Sequence, residues 1–139
     1  MSKLSRRSFV TLATASSTAL VMPSIAFGAK PKVVVIGGGA GGATAAKYIA
    51  RDSRGAIDVT LIEASKSYYT CFYSNLYLGN FRSYESIGHS YDKLSSNHKI
   101  NVVHEWAVSV DAAEKKINLG SGASVPYDLS LIHISEPTR

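Results

Sequence analysis

The hydrophobic pattern changes period several times along the chain, and each change marks an element. Residues 32–36, Lys-Val-Val-Val-Ile, form an unbroken β-branched run. That run suits a strand covered on both faces, as in a parallel sheet. Glycines follow at once, Gly37-Gly38-Gly39-Ala40-Gly41-Gly42, and Ala43 to Ala50 then supply helix formers without a breaker. Arg51 to Gly55 closes this helix, with Gly55 as its C-cap. Residues 58–63, Asp-Val-Thr-Leu-Ile-Glu, predict a second strand. Residues 64–82 read as a long aromatic loop with a Gly79-Asn80 turn signal. Ile87, Tyr91 and Leu94 recur at the spacing of one helix face, which Ser95-Ser96-Asn97 ends. Ile100 to Val103 predicts a third strand. Trp106 to Val110, Lys115 to Leu119 and Ser124 to Tyr127, with a Gly120-Ser121-Gly122 turn, predict short antiparallel strands.

Both ends break from this pattern. Lys3, Arg6 and Arg7 precede a mildly apolar stretch, Phe9 to Met22, and a small-x-small Ala26-Phe27-Gly28. This is the layout of a secretory signal, to be set aside from the fold. The run Ser5-Arg6-Arg7-Ser8-Phe9-Val10 looks like a twin-arginine signal, which predicts export to the periplasm in a folded state. A chance arginine pair in an ordinary signal is one alternative and a membrane anchor another. The apolar stretch is short of the roughly 20 residues that a span needs, so no stable membrane span is expected. At the other end, residues 129–139, LSLIHISEPTR, resemble a translated transposase-type sequencing adapter at all eleven positions. Asp128 is then the expected last native residue, the chain a truncated product, and His133 without function; a true C-terminus is the alternative. Domain boundaries follow: a signal at 1–28, a partial dinucleotide-binding domain at 29–128 and a non-native tail at 129–139.

Charge must be read on the middle segment. Of the net +5, residues 1–28 contribute +3 and the tail nothing, which leaves +2 for 29–128. No basic stripe with interleaved aromatics is present, so nothing argues for nucleic acid. His89, His98 and His104 lack the spacing of a metal site and are expected to be ordinary residues. Trp106 is expected in the core.

Gly37-x-Gly39-x-x-Gly42 is the motif that carries chemistry. Gly37 allows a tight turn out of the strand, Gly39 lets the backbone approach a pyrophosphate, and Gly42 lets the helix pack close to the sheet. The helix that opens at Ala40 offers free N–H groups and a positive dipole end to the phosphates. Glu63, at the end of the second strand, can accept hydrogen bonds from ribose hydroxyls and would repel a 2′-phosphate, which favours FAD or NAD over NADP. A glycine turn without a ligand is the alternative. The expected class is α/β, with a Rossmann-like parallel sheet.

The form V-V-I-G-G-G-A-G-G followed by T-L-I-E, at the start of the mature chain, resembles the two-dinucleotide flavoproteins, in which the FAD domain comes first. The stretch T-L-I-E-x-x-x-x-Y-Y-T-C-x-x-S-N, residues 60–75, and G-N-x-x-S-Y-E-S-I-x-H-x-Y-D-x-L, residues 79–94, resemble more narrowly the flavoprotein subunits of flavocytochrome c sulfide dehydrogenases. The resemblance spans 32–128, about the first quarter of such a subunit. It implies the N-terminal part of a Rossmann-like FAD-binding domain with a small antiparallel β insertion. It also implies FAD bonded covalently to Cys71, sulfide as substrate and a c-type cytochrome subunit as partner. The redox disulfide of that family would lie beyond Asp128, so the chain alone would be inactive. Ala107 and Val108 stand where the family's backbone contacts adenine. Tyr68, Tyr69 and Phe72 are candidates to wall the flavin ring. A sulfide:quinone oxidoreductase and a non-catalytic remnant are the competing readings. For Cys71, the one cysteine of the chain, the alternatives are a buried structural thiol and a disulfide to a downstream cysteine.

Overall fold

The computed structural model describes residues 29–132. The expected signal at 1–28 and residues 133–139 of the expected tail lie outside the described residues.

A parallel sheet forms the centre. Its strands are β1 (Lys32–Ile36), β2 (Asp58–Ile62), β5 (Asn101–Val103) and β9 (Leu129–Ile132), in the order β5-β2-β1-β9. β1 pairs with β2 from Lys32 opposite Asp58 to Ile36 opposite Ile62. The β-branched run earns its central place, because both its faces are covered. Val35 points with Val59 and Leu61 toward helix α1 (Ala40–Asp52), while Val34 points with Ile62 to the other side. The second face carries an antiparallel meander of β6 (Ala107–Asp111), β7 (Lys116–Leu119) and β8 (Ser124–Pro126), joined to the sheet through Ile117 and Leu119. The layers are therefore helix, parallel sheet, antiparallel sheet, as the α/β reading predicts.

Several elements depart from the expected ones. The α1 helix ends at a C-cap Ser53, whose N–H donates to the Ile49 carbonyl, while the Arg54 N–H donates to the Arg51 carbonyl. Gly55 comes two residues later with φ +84°, in the turn toward β2 rather than as the cap. The expected irregular loop holds structure of its own: β3 (Ser67–Tyr69) pairs antiparallel with β4 (Gly88–Ser90), and α2 (Ser74–Leu78) lies between them. The expected helix through Ile87, Tyr91 and Leu94 is three elements. Ile87 ends a 3-10 turn at Tyr84–Ile87, Tyr91 is the N-cap of α3 (Asp92–His98), and only Leu94 is helical. Their common spacing still tells of burial, since Ile87 and Tyr91 are both buried. Helix α3 runs through Ser95-Ser96-Asn97 and ends at Lys99, which adopts a left-handed φ of 56°. Trp106 is not in the core: it is 75% exposed, its carbonyl accepting from the Gly120 N–H just outside the meander.

Residues 129–132 of the expected tail form strand β9, with Val33 opposite Leu129 and Ile36 opposite Ile132. Asp128 sets its start. The Asp128 N–H donates to the Lys32 carbonyl at 2.9 Å, and the Lys32 N–H donates to Asp128 Oδ2 at 2.7 Å. Edge pairing of this kind asks only for an extended apolar segment, so it does not bear on where the segment comes from. Leu129, Leu131 and Ile132 stay substantially exposed. Among the described residues, no helix is long and apolar enough to cross a membrane.

Candidate functional site

The glycine turn sits where β1 and β2 end side by side. Gly37 leaves β1 with φ +99°, a backbone shape that strongly favours glycine, and its N–H donates to the Ile62 carbonyl at 2.9 Å. A Cβ on Gly42 would run into the Gly37 carbonyl oxygen, so the helix can begin this close to the turn only with glycine there. Gly39 is the N-cap of α1 and makes no side-chain cap, and the first turn carries no acidic residue. The N–H groups at the helix start, including that of Ala40, therefore keep their capacity for an anion. At Gly39 itself there is room: the nearest atom to where a Cβ would stand is Tyr68 Cε2, at 4.0 Å. The turn thus has a close-packed side at Gly42 and an open side at Gly39, which fits a dinucleotide pyrophosphate.

Glu63 follows β2 directly and reaches back to the turn. Its Oε2 accepts from the Gly38 N–H at 2.6 Å and its Oε1 from the Ser65 N–H at 2.9 Å. These charge-assisted bonds aim the carboxylate and leave each oxygen a further lone pair for a ribose hydroxyl. The structure therefore brings Gly37, Gly39, Ala40, Gly42 and Glu63 together, as the motif predicts. The Ala107 side chain joins the cluster of Val34, Ile62, Ile117 and Leu119 on the meander side of the sheet.

Two residues of this site escaped sequence reasoning. The Tyr91 hydroxyl donates to the Gly38 carbonyl at 2.9 Å in a buried position. Burial, then the negative charge of Glu63, then the Tyr68 phenol, push the Tyr91 phenol up to about 12. His104 Nδ1 lies 3.3 Å from the Glu63 carbonyl and 3.1 Å from the Ser65 carbonyl, and its ring lies 5.8 Å from that of Tyr91. An Nδ1–H there ties the loop after β5 to the end of β2. The only signal for Tyr91 was its apolar spacing, which spoke of core and not of a hydroxyl with a partner. For His104 there was none.

Cys71 is exposed among the described residues. Its backbone is well held. The Ser74 N–H and Ser74 Oγ both donate to the Cys71 carbonyl, at 3.2 and 2.8 Å, and the Phe72 N–H donates to Thr70 Oγ1 at 3.1 Å. Tyr73, two residues after Cys71, adopts φ +64°, an uncommon conformation for a bulky residue. The three aromatic candidates separate. Tyr68 reaches the glycine turn and packs on the α1 side of the core. Tyr69, on the opposite face of β3, stacks on Tyr84 with ring centroids 4.3 Å apart. Phe72 lines a groove of about 570 Å³ with Thr70, Tyr73, Arg82, Ile87 and His89. Alternation along a strand sends Tyr68 and Tyr69 to opposite sides, so they cannot both wall one ring.

The profile of the family described as pyridine nucleotide-disulphide oxidoreductase matches residues 31–132. The chain belongs to this family. Within it, the chain is 50% identical over 44 residues to the sulfide dehydrogenase [flavocytochrome c] flavoprotein chain of Chlorobaculum thiosulfatiphilum. That match covers 32% of this chain and 90% of the relative's sequence. Among solved structures, the sulfide:quinone oxidoreductase of Aquifex aeolicus is similar at a TM-score of 0.66 and 28% identity, over 73% of this chain and 24% of that one. The NAD-dependent persulfide reductase of A. fulgidus is similar at 0.62 and 28%, over 73% of this chain and 20% of that one. The chain thus spans about a quarter or less of the length of these solved oxidoreductases. Membership of this oxidoreductase family implies a flavin cofactor.

Proposed function

We propose that this chain forms the first part of the FAD site of an exported sulfide dehydrogenase that passes electrons to a c-type cytochrome subunit, with the flavin tethered to Cys71. The observation that carries the reading is the placement of the exposed Cys71 on a turn held by Ser74, three residues after Tyr68, which reaches to 4.0 Å from the Cβ position of Gly39. The tether and the pyrophosphate turn thus belong to one connected unit. The similarity to the Chlorobaculum flavoprotein chain supports the same reading.

Each residue has a definite task. The turn Gly37–Gly39 and the N-terminus of α1 hold the diphosphate, Glu63 holds the ribose hydroxyls, and Cys71 retains the cofactor by a thioether to its 8α-methyl carbon. When bound, FAD supplies two-electron oxidation of sulfide and one-electron delivery to haem. Retention by a covalent bond matters outside the cytoplasm, where a lost cofactor is not readily replaced. Export by the twin-arginine route is part of the proposal and rests on residues 5–10.

The test is denaturing electrophoresis of the exported protein under ultraviolet light. Flavin fluorescence should migrate with the polypeptide and disappear in Cys71→Ser. Flavin that is fully released on denaturation sinks the tether. Similarity to the Aquifex enzyme supports a second reading, a sulfide:quinone oxidoreductase. Sulfide-dependent reduction of a quinone, without reduction of cytochrome c, would favour it. A non-catalytic remnant would bind no flavin at all. The native end at Asp128 is proposed as well. Transposase-free resequencing should read past its codon into a glycine-ending strand, and a frame that stops after Arg139 refutes it.

A further inference from the structure

We infer that Tyr91 is a positioning residue for the dinucleotide turn: through its hydroxyl bond to the Gly38 carbonyl it fixes the direction in which the Gly39 N–H points. This rests on the reading of the turn as a pyrophosphate site.

The Gly38 carbonyl and the Gly39 N–H belong to the same planar, trans peptide, so they point in opposite directions. Tyr91 holds the carbonyl at 2.9 Å from the buried side. The Gly39 N–H must then face away from Tyr91. The preceding peptide is held as well, since the Gly38 N–H donates to Glu63 Oε2 at 2.6 Å. Together Tyr91 and Glu63 fix both peptides that meet at Gly38.

This control is needed because the plane lies between two glycines. Glycine populates both signs of φ with little penalty, so the Gly38–Gly39 peptide is unusually free to flip. A flip would turn a carbonyl oxygen toward the side where an anion is to bind and withdraw the N–H. The packing around Gly38 shows how closely the clamp fits. A Cβ there would stand 2.5 Å from Tyr91 Oη and 2.8 Å from Glu63 Cγ. Tyr91 reaches this place from a residue 53 positions further along the chain, at the N-cap of α3. The crossover between β2 and β5 therefore does more than cover the sheet. It returns a hydroxyl to the turn that β1 began.

Tyr91→Phe in the full chain tests this. Phenylalanine keeps the ring and its packing, so the fold should stand, as far-UV circular dichroism will show. The probes are ADP, which carries the diphosphate, and adenosine, which does not, with binding followed by ligand-observed NMR. In the variant, ADP should bind roughly tenfold more weakly, the ordinary worth of one hydrogen bond, with adenosine unchanged. Amide exchange should quicken at Gly38 and Gly39 while the β1 amides stay protected. Equal ADP binding by variant and parent overturns the inference. So does a parallel loss of ADP and adenosine binding, which would mark a purely structural role. A parent chain that binds adenosine and ADP equally has no diphosphate site, and that outcome refutes the reading of the turn itself.

Discussion

Raising the pH should destabilise this protein through Tyr91 in a window that can be stated in advance. The phenol is buried, 5% exposed, and its ionisation is pushed up to about 12 from the ordinary 10. Burial is the main cause, with the charge of Glu63 and the Tyr68 phenol adding to it, and the His104 ring lies 5.8 Å away. Below pH 10 the phenol is protonated in the folded and unfolded chain alike, so its full contribution is present. Above pH 10 the unfolded chain gives up its proton first, and stability falls until the folded phenol also ionises near pH 12. A displacement of about two pH units corresponds to about 3 kcal/mol lost across that window. Tyr91→Phe should behave in the opposite sense. It costs about 1–3 kcal/mol at pH 8, because the Gly38 carbonyl is left without a partner. It should then lose less than the parent between pH 10 and 12, since the group that titrates is gone. Urea unfolding of both proteins at intervals from pH 8 to 12 measures this, and the difference between them cancels the other tyrosines. Curves that stay parallel from pH 10 to 12 would refute the assignment, and so would equal stabilities at pH 8.

Other perturbations have equally definite outcomes. Gly42→Ala drives a methyl group into the Gly37 carbonyl oxygen and should destabilise by more than about 3 kcal/mol, read from the urea midpoint. Ile117→Ala empties a fully buried site between the meander and the sheet; a loss of about 2–5 kcal/mol is expected from chemical denaturation. Cys71→Ser changes an exposed position and should leave stability within about 0.5 kcal/mol of the parent, while the covalent flavin of the proposed function disappears. Asp128→Ala removes the acceptor for the Lys32 N–H, and hydrogen exchange should quicken first in β9.

How much of this could be read without the fold depends on the range of the interaction. The β1 run, the glycine turn, the α1 helix and Glu63 at the end of β2 were all legible. Their roles follow from backbone conformation and local burial, which nearby residues determine. The meander was legible for the same reason, from three short strands and a glycine turn. The crossover was not. Ile87, Tyr91 and Leu94 have the spacing of one helix, yet they enter the same region from a 3-10 turn, a helix cap and a helix. A periodic pattern reports which residues are buried, and here it could not report on which element. Trp106 shows the converse, a residue whose type suggests core but whose position beside Gly120 leaves it exposed. Tyr68 and Tyr69 are alike in sequence, and only the pairing of β3 with β4 assigns one to the glycine turn and the other to Tyr84. By itself, then, the sequence determined the glycine turn and the strands β1, β2 and β5 of the sheet that carries it, because these are written in contiguous residues, while the β9 edge was not foreseen. The tertiary structure alone decided what holds the turn in shape, because the Tyr91 hydroxyl and the Gly38 carbonyl meet only after the crossover has folded back over the sheet.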